Sequence, residues 1–69
     1  MSNSVYKIIE LVGTSTESWE KAATNAVERA SQTLRDLRIA EISQLDMQIK
    51  DGKVENYRAK VKVSFKFEG

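Results

Sequence analysis

The carboxylates Glu41, Asp46, Asp51 and Glu55 can supply oxygen ligands to a hard cation such as calcium, although their spacing matches no loop motif for such an ion. A second group, Arg58, Lys60, Lys62 and Lys66, forms a basic stripe able to meet phosphate. Both groups can equally be the solvated charges of a surface. Hydroxyls concentrate in Gly13-Thr14-Ser15-Thr16-Glu17-Ser18, but no base stands at an obvious spacing and the Gly-Lys-Ser/Thr ending of a phosphate loop is missing. Capping of a helix is their simpler role, and free amides at a helix start can also hold an anion. The chain contains no His and no Cys, so it lacks the usual general base, the best nucleophile and the commonest transition-metal ligands. It reads as a protein that is not an enzyme.

Positioning these residues falls to a few strongly patterned segments. From Val54 to Phe67 the side chains alternate: Tyr57, Ala59, Val61, Val63, Phe65 and Phe67 face one way, and Asn56, Arg58, Lys60, Lys62, Ser64 and Lys66 the other. This predicts a half-buried strand whose register is strongly specified, because a slip of one residue would bury the cations. Upstream, Arg38 to Lys50 ends in Asp51-Gly52, the dipeptide of a tight hairpin turn. Pairing Lys50 with Lys53 then predicts Ala40 beside Val63, Ile42 beside Val61 and Gln44 beside Ala59 on the apolar face. The reverse face is expected to hold Ile39 beside Ser64, Glu41 beside Lys62, Ser43 beside Lys60, Leu45 beside Arg58 and Met47 beside Asn56, with no aromatic residue among them.

Val5 to Val12 is rich in β-branched residues and predicts a first strand, closed by a turn at Gly13-Thr14-Ser15-Thr16. From about Thr16 to Leu37 there is no Gly or Pro, and Trp19, Ala22, Ala23, Ala26, Val27, Ala30, Leu34 and Leu37 recur at helical steps. The many alanines in this stripe predict a helix lying close against a sheet, with Trp19 in a core or interface. A strand, a packed helix and a second strand leave the two strands parallel, so the last strand can pair antiparallel with both. The expected fold class is therefore α+β: β-α-β-β, a three-stranded antiparallel sheet of order 1-3-2 folded over one long helix, spanning residues 1–69 as a single domain.

Sixty-nine residues lie near the lower limit for a self-sufficient core, and without Cys or His neither a disulfide nor an ordinary structural zinc can help. Oligomerisation is the remaining source of stability. A helix covers only one face of such a sheet, while Ile39, Leu45, Met47 and Ile49 are expected on the other, an apolar patch that suits a contact with further copies or a ligand. Eleven basic residues against ten acidic ones give a net charge of +1, no reason to expect nucleic acid as a partner. No apolar run approaches a membrane span, and Met1-Ser2-Asn3-Ser4 lack the marks of a signal segment, so a cytoplasmic protein is expected.

Val5-Tyr6-Lys7-Ile8-Ile9-Glu10-Leu11-Val12-Gly13-Thr14-Ser15, then Glu17-Ser18-Trp19-Glu20 with Ala22, Ala26 and Arg29-Ala30, then Asp51-Gly52-Lys53-Val54 and Tyr57 leading to Val61, Val63 and Phe65, together resemble the dodecins over essentially the whole chain. The resemblance implies a protomer whose sheet wraps its helix, twelve of which close into a hollow homododecamer. It further implies that flavins such as riboflavin or FMN bind in pairs between subunits for storage and quenching, and that coenzyme A is held in some members. Typical flavin-binding members carry a stacking Trp where this chain has Ile39, and a Gln after the Tyr of the last strand where it has Arg58. Ile39 and Arg58, with Leu45 beside Arg58, are thus the positions a flavin would meet. Ser18-Trp19-Glu20, Leu45-Asp46-Met47 and Tyr57-Arg58 with Val63-Ser64-Phe65-Lys66 are most similar to a branch that lacks the stacking Trp and for which calcium binding has been described. No motif identifies ligands for that ion; Glu41 and Asp46 are the candidates taken from this chain.

Overall fold

The computed structural model describes residues 3–67, so Met1 and Ser2 at the start, like residues 68–69, lie outside the described residues. Its elements are β1 (Tyr6–Ser15), α1 (Trp19–Ser31), β2 (Leu37–Lys50) and β3 (Lys53–Lys66). The three strands form one sheet of order β1-β3-β2 in which both pairings are antiparallel, the expected topology. Asp51 (φ 53°) and Gly52 (φ 75°) make the hairpin turn, with positive φ at both central positions as a tight two-residue turn of this kind requires.

Helix α1 is shorter than its periodicity predicts, for local reasons at each end. The Ser15 hydroxyl accepts from the Glu17 amide at 2.9 Å and holds Thr16-Glu17 in a turn. Ser18 then becomes the N-cap, its hydroxyl accepting from the Lys21 amide at 3.0 Å, with Glu20 in the first turn complementing the helix dipole. At the other end the amides of Thr33 and Leu34 both close back on the Ala30 carbonyl, and Asp36, with φ 59°, redirects the chain into β2. Leu37 nevertheless packs against the core, from the start of a strand rather than the end of a helix. Strand β1 likewise runs through Gly13 to Ser15 instead of ending at a turn.

Ala22, Ala26, Ala59, Val61 and Val63 form the core, with Ile9, Leu11, Ala23, Val27 and Leu37 packed against it. The alanine stripe does bring helix and sheet close. Gly13, opposite Ala59, is buried under the helix, and a Cβ placed there would fall 1.9 Å from the Ala22 carbonyl oxygen. The core is small for the surface around it: eleven large apolar side chains among the described residues remain 44–68% exposed. A protomer of this size with so small a core leaves much of its apolar surface unburied.

Register departs from expectation in the middle of the hairpin. Ala40 faces Val63 and Ile42 faces Val61 as expected, but Ser43 is an extra residue on β2, so Gln44 faces Lys60, Leu45 faces Ala59, Asp46 faces Arg58 and Met47 faces Tyr57. A compensating extra residue, Glu55 on β3, restores Ile49 to Val54 and Lys50 to Lys53. Two-versus-one bulges of this kind exchange the faces of everything between them. Leu45, Met47 and Ile49 therefore lie on the helix side of the sheet, beyond or beside the helix, and of the four apolar residues expected on the reverse face only Ile39 stays there. Helix α1 sits over β1 and β3 and scarcely reaches β2, which explains why Leu45 and Met47 are on its side and still half exposed.

Candidate functional site

The uncovered face is built from alternate residues of all three strands. Along β3 it carries Arg58, Lys60, Lys62, Ser64 and Lys66; across from these, β1 contributes Thr14, Val12, Glu10, Ile8 and Tyr6, and β2 contributes Asp46, Gln44, Glu41 and Ile39. Ile8, Val12 and Ile39 are 61%, 47% and 68% exposed, so apolar side chains punctuate a charged surface. Tyr6, opposite Lys66, shares the face, against the expectation that no aromatic residue does. The basic stripe of β3 is flanked by Glu10, Glu41 and Asp46 on the neighbouring strands, which offset part of its charge.

Its best-defined feature joins Asp46 to Arg58. The Arg58 Nε donates to Asp46 Oδ1 at 2.7 Å and Nη2 donates to Oδ2 at 3.2 Å, a two-point fork between directly opposed residues. The Asp46 backbone is fixed as well: its carbonyl accepts from the Trp19 indole Nε1 at 2.9 Å. Trp19 in turn meets Tyr57 edge to face, with ring centroids 5.1 Å apart at 70°. The first residue of the helix, the bulged part of β2 and the residue before Arg58 are thus tied in one brace. Trp19 is a structural tie here, as its place in the apolar stripe predicts.

The hydrogen bond from Arg58 holds the Asp46 carboxyl below its ordinary value of 3.8, with the positive charges of Arg58 and Lys60 adding to it and partial desolvation opposing. A carboxylate whose folded pKa is depressed contributes stability above its unfolded pKa and loses it as pH falls through the folded one. The pair is 35–40% exposed, so the contribution is small. Asp46→Asn is expected to melt slightly below the unaltered protein from about pH 5 to 8, the gap closing below about pH 4. Thermal melts across that range check it; a gap that widens in acid would contradict it.

The other candidate residues are dispersed. Ile39 faces Ser64, whose hydroxyl accepts from the Ile39 amide at 3.2 Å, six positions along β3 from Arg58. At about 3.3 Å per residue the two stand about 20 Å apart in one protomer. A small-molecule site is about 10 Å across. A single flavin can meet both positions only where two protomers adjoin. Ile39 offers no ring to stack on, and Arg58 offers donors but no acceptor, so neither side chain supplies what the stacking Trp and the amide supply. Leu45 lies on the opposite side of the sheet from Arg58, not beside it. With Trp19, Glu20, Ala23, Thr24 and Ile42 it lines an open, mostly apolar cleft of about 570 Å³.

Glu41 faces Lys62 and lies five residues from Asp46, about 15 Å away on the same face. Calcium takes about six to eight oxygens at about 2.3–2.6 Å. No group of three or more His, Cys, Asp or Glu is assembled among the described residues, so one protomer alone does not fit the ion. No helix among them is long and apolar enough to cross a membrane. The Asp46 to Arg58 fork and the Trp19 tie were not legible from residue spacing, because both depend on the extra residue at Ser43.

Three comparisons place the chain among known proteins. The dodecin family model matches residues 5–68. The calcium dodecin of Mycobacterium tuberculosis is 46% identical over 63 residues, 91% of this chain and 89% of that protein. The dodecin of Thermus thermophilus is 41% identical over 64 residues, 93% of each. Among solved structures, the dodecin of Streptomyces coelicolor superposes with a TM-score of 0.93 at 45% identity, covering 100% of this chain and 99% of that one. The M. tuberculosis calcium dodecin, described as calcium chelating with a novel calcium-binding site, superposes at 0.84 with 47% identity, covering 94% and 93%.

Proposed function

The chain belongs to the dodecin family, and from that premise we propose that it is a non-enzymatic, cytoplasmic binding and storage protein, built as a hollow homododecamer that holds a small ligand where protomers meet. The observation that carries this reading is the mismatch between a core of alanine and valine and the eleven large apolar side chains left outside it. On the uncovered face, Ile8, Val12 and Ile39 are available to neighbouring copies. Leu45, Met47 and Ile49 are available on the helix side, so copies can be joined through both surfaces.

The ligand site lies between protomers, since Ile39 and Arg58 are too far apart to share a molecule within one. By family resemblance the ligand is a flavin, FMN or riboflavin, held weakly because the stacking and amide partners are absent; coenzyme A is a further candidate by the same resemblance. A cation is the second reading, favoured by the 46% identical calcium dodecin. It requires carboxylates such as Glu41 to be brought together from separate copies. The absence of His and Cys agrees with a protein that holds its ligand unchanged.

The assembly is read directly from mass. Twelve copies of the 7.8 kDa chain are expected to elute as one species of about 94 kDa by size exclusion with light scattering. A monomeric or dimeric mass at micromolar concentration would overturn the proposal. Riboflavin titrated against the assembled protein then separates a weak pocket, seen as quenching of its fluorescence, from an empty cage.

A further inference from the structure

We propose that Arg58 acts as a tethered cation for Asp46: the guanidinium engages both carboxylate oxygens and competes with divalent metal ions for Asp46, so that this corner of the sheet is held together without one. Both carboxylate oxygens of Asp46 are engaged, at 2.7 and 3.2 Å, by the one side chain directly opposite on β3. Its main chain cannot swing away freely, because the carbonyl is anchored by the Trp19 indole at 2.9 Å. The extra residue at Ser43 is what sets this up. Without it Leu45 would face Arg58 and Asp46 would fall on the helix side.

A metal ion at Asp46 would have to displace a two-point, charge-assisted fork and then sit beside the displaced guanidinium. It would find no second carboxylate nearby in the protomer. Arg58 supplies a positive charge that is always present and needs no uptake from solution. This goes beyond the proposed function and bears on its second reading: any cation the protein holds is held without Asp46.

Terbium, a luminescent stand-in for calcium, provides the test, since Trp19 is the only Trp and would sensitise an ion bound at Asp46. The unaltered protein and Asp46→Asn are expected to give the same terbium affinity and emission. Arg58→Gln is expected to gain Trp-sensitised emission that the unaltered protein lacks, because the freed carboxylate no longer shares its place with a cation. Adding Asp46→Asn to Arg58→Gln should abolish the gain. If Arg58→Gln does not stay folded by circular dichroism, Arg58→Lys, which keeps the charge but gives up the fork, is read in its place and should show a smaller gain. Emission from the unaltered protein that falls in Asp46→Asn would overturn the proposal, as would a released Asp46 that binds no more terbium than before. Light scattering on the same samples reads assembly independently, so a failure of the dodecamer and a failure of the tethered cation are told apart.

Discussion

Gly13→Ala is expected to leave little or no folded protein at room temperature. The new methyl would stand 1.9 Å from the Ala22 carbonyl oxygen and 3.0 Å from the Ala26 Cβ. Neither is the movable end of a flexible side chain. The helix would have to lift off β1 by more than an ångström, and with it would go the contacts of Ala22 and Ala26 over Ala59 and Val61. Overpacking a close-packed core typically costs about 1–3 kcal/mol, and more where backbone meets backbone. A chain of this size has only about 3–10 kcal/mol of net stability to lose. Gly52→Ala is the control. Nothing lies within 4 Å of a Cβ there, and the positive φ of 75° is the only obstacle. Its cost is about 1–2 kcal/mol, a drop of several degrees in melting temperature. Melts followed by circular dichroism compare the two; a Gly13→Ala protein within a few degrees of the Gly52→Ala protein would mean that the helix does not press on the strand as described.

Ile39→Trp combined with Arg58→Gln is expected to raise flavin affinity by about tenfold to a hundredfold. An indole against an aromatic ring contributes about 0.5–1.5 kcal/mol beyond the area it buries. An amide that both donates and accepts at the ring edge adds about 1 kcal/mol per hydrogen bond, and every 1.4 kcal/mol is a factor of ten. Because the two positions are about 20 Å apart in a protomer, the gain should appear only in the assembled form. Ile39→Trp alone should recover part of it, and Arg58→Gln alone very little. Quenching of riboflavin fluorescence gives the affinities. No gain in the assembled double variant would show that the cavity between copies differs in shape as well as in side chains.

Much of the architecture is written in local chemistry. The alternation of β3 fixes its buried face, and Ala59, Val61 and Val63 are buried as it predicts. Asp51-Gly52 fixes the hairpin, and the stripe of alanines forecasts the close approach that Gly13 makes possible. The middle of β2 departs from a perfect ladder extended from the turn, because Ser43 is an extra residue there. A clue was present: the helix-facing apolar residues are Ala40 and Ile42, then Leu45, Met47 and Ile49, a change of phase that an unbroken period of two does not allow. Ser43 sits at the change and uses its hydroxyl to reach the Lys60 carbonyl and the Glu10 carboxylate, both at 3.3 Å. Locating Asp46 opposite Arg58 follows only after that correction. The helix ends short of its apolar spacing for a related reason: Leu34 and Leu37 keep that spacing but stand on a connector and a strand. Of the candidate ligand positions, Ile39, Glu41 and Arg58 fall on the face the alternation assigns them, while Leu45 and Asp46 exchange faces at the extra residue Ser43.

The strand order carries a consequence for how the molecule comes into being. The central strand is the last of the four elements in the chain, and Tyr6 must find Lys66 while Lys50 needs only Lys53. During synthesis β1 and the helix emerge with no sheet to join, and the nascent chain can close its hairpin only once β3 has cleared the ribosome. Folding is therefore a late, nearly all-at-once event, and until then the greasy first strand is a client for whatever shields unfinished chains.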